Sequence, residues 1–394
     1  MILVLNVGST SVKYELFDDL ESVTEGAVTG IDEAESRVRQ TAGGTTAEST
    51  EHVADHAAAI DIALACLTDC ENAVLTDLEA IDAVGHRVVH GGPLSESLLI
   101  DEDVKETIRE YVPIAPLHNP VNLAGIEATE AALPDVPQVA VFDTAFHQSL
   151  PPRAYLYGLP YEYYEEHGIR RYGFHGISHQ YVSREAAAML DRSVEETNLI
   201  TCHLGGGCSM AAIEGGRSVD TTMGFSPLEG LLMATRTGDL DPTVVQYLVD
   251  EAGMDLDEVF AVLNHESGLA GLSGIGEDMR ELLTAREAGD ERAALAIDVF
   301  TYRIVKYVGA YTVILGDVDG LVFTAGIGEN ASAIREQVCA APGLGLDLND
   351  ERNRATRGES AVISSDDSEV PVLTVPTDEE LMIARETAAL VDTA

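Results

Sequence analysis

Residues 1–17 read MILVLNVGSTSVKYELF. An apolar run ends in a Gly-Ser-Thr-Ser turn, and an alternating apolar–polar run follows. That pattern predicts a strand, a tight turn and a second strand. The same shape returns at residues 198–213, NLITCHLGGGCSMAAI, in different letters. A strand–turn–strand unit at the head of each half predicts two related domains. Strand-like and helix-like stretches alternate along the whole chain, which predicts an α/β fold.

The intervening stretches follow the same logic. Residues 52–67 and 178–190 read as helices, with Ser178 as an N-cap. Residues 80–92 read as a strand running into a glycine turn, and 138–146 as a buried strand ending at Asp143. Residues 111–120 are a Pro-punctuated loop. Residues 294–315 form a long helix, 320–338 a strand, a glycine turn and a helix, and 372–390 a strand and a closing helix. Residues 20–50 and 343–370 read as acidic loop and strand material.

The chain has 394 residues, 45% of them apolar, enough for more than one core. No run of about 18 apolar residues predicts a membrane span. The N-terminus lacks the basic flank of a secretory leader. Five cysteines with no CxxC spacing read as reduced, mostly buried thiols of a cytoplasmic protein. The 68 acidic residues outnumber 23 basic ones, for a net charge of −45. They are spread along the whole chain. Such a field excludes nucleic acid and anionic membranes as partners. It also predicts a protein adapted to high salt, where about 1 M ions shorten the screening length to roughly 3 Å.

Three glycine turns close strands: NVGSTS (6–11), HLGGGCS (203–209) and AGIGENAS (325–332). Backbone N–H groups in such turns form anion-binding nests. No GxxxxGK[ST] occurs, so a P-loop is excluded. Lys13, one of only three lysines, follows the first turn and reads as a point charge for a phosphate. Arg87 stands inside an apolar strand in GHRVVHGG, which is costly unless it is paired or faces a cleft. RRYGFHGISH (170–179) gathers Arg170, Arg171, His175 and His179, and LEGLLMATRTGDLDP (228–242) places Arg236 near Asp239 and Asp241. The two aspartates read equally as helix caps, partners of Arg236 or metal contacts. Together the cations predict a binding place for transferring phosphoryl oxygens. In TDEE (377–380), Thr377 and Glu380 read as a capping box, which leaves Glu379 available for a metal. His86, His90 and His203 read as hydrogen-bonded residues at strand ends.

Taken with APLHNP, FDTAFH, TAGIGEN and PTDEELMIARET, in this order from residue 2 to about 390, these motifs resemble the acetate kinase family. The resemblance implies two ribonuclease-H-like domains of the acetate and sugar kinase, Hsp70 and actin type, with the active site in the interdomain cleft. It implies an N-terminal domain of residues 1–146 plus 380–394 and a C-terminal domain of residues 147–379. It implies reversible transfer of the ATP γ-phosphoryl group to acetate, giving acetyl phosphate and ADP. Propionate and butyrate kinases of the same family are the alternatives, and an actin- or Hsp70-like ATP-binding clamp is one from another class. Asp143, His175, Arg236 and Arg87 match catalytic positions. Arg87, Val89, Leu117, His118, Phe174 and Pro227 match the acetate site. Lys13, His203, Leu204, Gly205, Gly206 and Gly207, then Asp278, Met279 and Arg280, then Gly326, Ile327, Gly328, Glu329 and Asn330, match nucleotide-binding segments. Asn6 and Glu379 match the positions for Mg²⁺, with Mn²⁺ as a substitute. A homodimer is implied as well. The chain departs from the family pattern at Ile177, Gly206, Met279 and Asp378. Because acetate is already ionised at neutral pH, Asp143 is expected to orient an arginine or a metal-bound water rather than to accept a proton.

Overall fold

The computed structural model describes residues 1–392. It divides into two compact units, Met1–Gln148 with the described part of Asp378–Ala394, and Ser149–Thr377. The chain leaves the first unit after residue 148 and re-enters it at 378, against the expected 146 and 380. Asp378 goes with the helix it caps. Residues 393–394, part of the expected N-terminal domain, lie outside the described residues.

The first unit holds an eight-stranded sheet. Its strands are β1 (Ile2–Gly8), β2 (Ser11–Asp18), β3 (Glu21–Thr29), β4 (Ser36–Ala42), β5 (Thr45–Glu51), β6 (Ala83–Val88), β7 (Leu98–Leu99) and β8 (Gln138–Phe142). Their order is β5-β4-β3-β2-β1-β6-β8-β7. The opening stretch is the expected hairpin, with Asn6 opposite Lys13. Residues 20–50 prove more regular than their acidity suggests, since three antiparallel strands extend the hairpin. On the other side, β1, β6 and β8 run parallel. Every residue of β8 is buried, as a parallel strand covered on both faces requires. Helix His56–Asp69, capped by Asp55, packs Ile60, Leu64 and Leu67 against Leu3, Leu5, Val84 and Leu16. Each such side chain contributes about 1.5–3 kcal/mol by leaving water. Gly85 follows Val84 and so faces the opposite way. A Cβ there would lie 2.4 Å from Thr387 Oγ1, so glycine lets helix Glu379–Val391 lie directly on the sheet.

The second unit repeats the plan. Its strands are β9 (Asn198–Leu204), β10 (Cys208–Glu214), β11 (Arg217–Thr221), β12 (Gly320–Thr324), β13 (Ala361–Val362) and β14 (Val372–Thr374). Their order is β11-β10-β9-β12-β14-β13. The antiparallel meander β11-β10-β9 leads into two parallel strands, β12 and β14, just as β3-β2-β1 leads into β6 and β8. Both units are ribonuclease-H-like. Helix Glu291–Leu315, capped by Asp290, packs on β9 and β10.

Three local expectations fail. Ser178 is not an N-cap: the helix starts at Gly176, with His175 at the cap position in left-handed backbone. Thr377 and Glu380 form no capping box, because Asp378 accepts the Leu381 N–H instead. The Gly326–Gly328 stretch is a helical turn, Ala325–Asn330, rather than a loop.

His86 on β6 is buried and bonds Gln138 Oε1 through Nε2 at 2.7 Å. Burial pulls its pKa from 6.5 down to about 4. Between those values the unfolded chain takes up a proton that the native imidazole refuses. The contribution is therefore present above pH 6.5 and is lost as pH falls toward 4. Its ceiling is about 3 kcal/mol. In urea unfolding at pH 7.5 and 5.0 in molar KCl, His86→Gln should lose less stability across the interval than the wild type. An identical slope in both proteins would refute the assignment.

Candidate active site

In the first unit, β1, β6, β8 and the start of helix Glu379–Val391 bring Asn6, Arg87, Asp143 and Glu379 together. Arg87 Nη2 donates to Asp143 Oδ2 at 2.5 Å, and Nη1 to Asn6 Oδ1 at 3.4 Å. Its Nε lies 3.5 Å from Glu379 Oε2. Asn6 Nδ2 in turn donates to Glu380 Oε1 at 3.4 Å. Burial opposes the Arg87 charge, but Asp143 and Glu379 outweigh it and raise the guanidinium pKa. Burial raises Asp143, and Arg87 opposes that rise. Burial pushes Glu379 up to about 7, with Asp143 and Glu380 adding to it while Arg87 and Lys13 pull it down. Asp143 is 1% exposed, and its Oδ1 has no hydrogen-bond partner among the described residues.

That donor set suits a hard cation. It offers only oxygens, one of them orphaned and buried, beside a glutamate whose ionisation an added positive charge would favour. No group of three or more His, Cys, Asp or Glu able to hold a metal occurs among the described residues. A divalent cation held there would draw most of its ligands from water and phosphate. Of the three lysines, Lys13 belongs to this cluster, whereas Lys105 is tied to Glu102 and Glu130. Val89 is buried just beyond β6, Leu117 is 58% exposed, and His118 precedes helix Asn119–Ala132.

In the second unit, His175 and Arg236 meet at the triple-glycine turn. A Cβ at Gly207 would lie 3.3 Å from His175 Nε2 and 3.7 Å from Arg236 Nη1. The His175 ring stacks on His203 at 4.1 Å, and its Nδ1 bonds Ser209 Oγ at 2.9 Å. His203 Nδ1 bonds Ser178, which accepts from Thr377. Ser178 and Thr377 thus hold a histidine rather than cap helices. Arg236 Nη1 donates to the Pro227 carbonyl at 3.1 Å and lies 3.9 Å from Met233 Sδ. Asp239 and Asp241 do not hold it: Asp239 takes Gly230 N–H and Tyr307, and Asp241 takes Thr243 N–H. Among the described residues Arg236 has no carboxylate partner, and burial lowers its pKa. Arg171, by contrast, is structural, bonded to three carbonyls and to Glu229. Phe174 is buried just before His175.

Next to this turn lies a cavity of about 880 Å³. Gly205 and Gly206, then Asp278, Met279 and Arg280, then Gly326, Ile327 and Asn330 line it, so all three glycine-bearing or DMR segments meet. A Cβ at Gly206 would meet nothing within 4 Å, so glycine is not required there for space and its presence leaves the wall more open. Leu204 is buried in the sheet, and His203, Gly207, Gly328 and Glu329 lie outside the lining. Sequence reasoning missed Ser332 and Arg357 on the wall, and Arg335 behind it. Arg335 is fully buried and donates to the carbonyls of Gly328, Glu329, Asn353 and Thr356, which pins the wall's glycine turn.

The sequence profile of the acetokinase family matches residues 1–385. An acetate kinase of Clostridium novyi is 48% identical over 99% of this chain and 98% of its own. The crystal structure of Porphyromonas gingivalis acetate kinase superposes with a TM-score of 0.94 at 43% identity, covering 99% of both chains. A propionate kinase from Francisella tularensis superposes with a TM-score of 0.92 at 40% identity, covering 98% of this chain and 99% of its own. With duplicated sheets, an arginine beside a glycine turn that has no carboxylate partner among the described residues, and likeness over 99% of its length, the chain belongs to the acetokinase family.

Proposed function

We propose that this protein transfers the γ-phosphoryl group of ATP reversibly to acetate, giving acetyl phosphate and ADP. The observation that carries the reading is the cavity joining all three nucleotide-type segments beside Arg236, a cation with no counter-ion among the described residues. ATP occupies that cavity, and Arg236 with His175 receives the transferring oxygens. Arg87 takes the acetate carboxylate. Val89, Leu117, His118, Phe174 and Pro227 are assigned to the acetate site. Acetate needs no base, and the Arg87–Asp143 pair supports an orienting role for Asp143. Asn6 and Glu379, with Asp143 nearby, hold Mg²⁺ or Mn²⁺, which supplies charge neutralisation for the phosphates. Five free cysteines support a cytoplasmic setting, and no helix among the described residues is long and apolar enough to cross a membrane. Exposed Leu295, Tyr302, Val313 and Ile314 on helix Glu291–Leu315 support pairing with a second copy.

Propionate is the second reading, favoured by the propionate kinase likeness. One methylene changes discrimination by only about 1–3 kcal/mol in an apolar pocket. A hydroxamate assay with ATP, Mg²⁺ and acetate, propionate or butyrate in molar KCl decides between them. The highest kcat/KM is expected with acetate. Acyl phosphate from none of the three acids would overturn the reading.

A further inference from the structure

We propose that Thr201, His179 and Ser209 form a one-way hydrogen-bond relay that fixes His175 with its hydrogen on Nε2, aimed at a phosphoryl oxygen. The proposal rests on the function assigned above. Thr201 Oγ1 lies 2.7 Å from His179 Nδ1, His179 Nε2 lies 2.7 Å from Ser209 Oγ, and Ser209 Oγ lies 2.9 Å from His175 Nδ1. Both hydroxyl residues are completely buried.

The direction of the relay follows from counting hydrogens. Among the described residues, the Thr201 hydroxyl has one partner, His179 Nδ1. If it accepted there, its own hydrogen would be buried with no acceptor, a costly arrangement. Thr201 therefore donates to His179 Nδ1, which places the His179 hydrogen on Nε2. That hydrogen goes to Ser209 Oγ. Ser209 has one hydrogen left, and its other partner is His175 Nδ1, so His175 accepts at Nδ1. The remaining His175 hydrogen must be on Nε2. That atom is the one beside Gly207, on the same side as Arg236 Nη1. With the relay reversed, a bare nitrogen lone pair would face an anionic oxygen. Ser209, His179 and Thr201 touch no substrate in this scheme and act as positioning residues. Left-handed backbone at His175, φ 58°, further restricts where the ring can point.

The test is kinetic and spectroscopic. Thr201→Val keeps the shape and removes the first hydrogen of the relay, while Thr201→Ser keeps the hydroxyl. Thr201→Val should lower kcat about tenfold with KM for ATP and acetate within about twofold, Ser209→Ala should lower it by about tenfold to a hundredfold, and Thr201→Ser should restore wild-type turnover. Full turnover in a folded Thr201→Val or Ser209→Ala protein would overturn the relay, as would equal losses in Thr201→Val and Thr201→Ser. The wild type gives a second readout independent of variant folding. Long-range ¹⁵N–¹H spectra, with His175 assigned by its loss in His175→Gln, should show Nε2 protonated, and Nδ1 protonation would refute the scheme. A wild type that makes no acyl phosphate would instead strike the function itself.

Discussion

Replacing Arg236 with alanine is expected to lower kcat/KM for acyl phosphate formation by about 10³, with little change in thermal stability. The two halves of that expectation share one cause. Arg236 is held by a carbonyl and a thioether sulfur, with no carboxylate partner among the described residues. Burial disfavours its charge in the resting protein. Removing it therefore leaves no stranded anion, and folding loses little. A transferring phosphoryl group loses a planar donor fixed in advance, where such preorganised charge counts most. Lysine restores only part of the activity, because a point charge cannot replace the fork.

Arg87 supplies the contrast. It neutralises Asp143 and Glu379 at once. Arg87→Ala strands the buried Asp143 and the half-buried Glu379, and breaking a buried pair costs about 3–5 kcal/mol. Its activity and its Tm should fall together, whereas only activity falls in Arg236→Ala. Steady-state kinetics and melts of both variants in molar KCl decide this. A loss under tenfold in Arg236→Ala, or a Tm drop equal to that of Arg87→Ala, would contradict it.

What the sequence made legible was local in kind. The opening hairpin and its repeat needed only an apolar period and a turn, both written within about 16 residues. The rarity of lysine isolated Lys13 for the same reason. Helix starts were harder, because several residues near each start have cap chemistry and backbone angles choose among them. Ser178 and Thr377 have the right hydroxyls, yet both serve His203 instead. Arg335 was illegible because its partners lie up to 21 residues away and, apart from the Asn353 side-chain oxygen, are main-chain carbonyls, which no side-chain motif encodes. The Thr201–His179–Ser209 chain was hidden likewise: β9, β10 and helix Gly176–Met189 must pack before those atoms meet. Acidity misled at residues 20–50, where strands alternate charged outer positions with Val28, Val38 and Gln40 inside.

The largest expected response to solvent comes from the net charge of −45. Raising KCl from 0.1 M to 2 M should raise Tm by about 10 °C or more, on the scale where one kcal/mol moves a large domain by about 2–4 °C. At 0.1 M the screening length is about 10 Å, so each exposed carboxylate feels several neighbours, and above 1 M it falls below about 3 Å. The chain has too few cations to cancel this locally, and much of its arginine is already committed to ion pairs such as Arg171–Glu229 and Arg192–Asp319. Salt also weakens exposed pairs such as Arg280–Asp278, but those contribute little. In the Arg87–Asp143 pair the carboxylate is buried and the guanidinium is 20% exposed, so the pair is screened far less and the cluster persists in the salt that relieves the surface. ATP and acetate are anions that must approach the same acidic surface, so kcat/KM should rise with KCl alongside Tm. Sucrose, an excluded solute that carries no charge, separates the two causes: it should raise Tm without raising kcat/KM. Equal or greater stability at 0.1 M KCl would mean that the acidic surface is compensated in a way its charge count does not reveal.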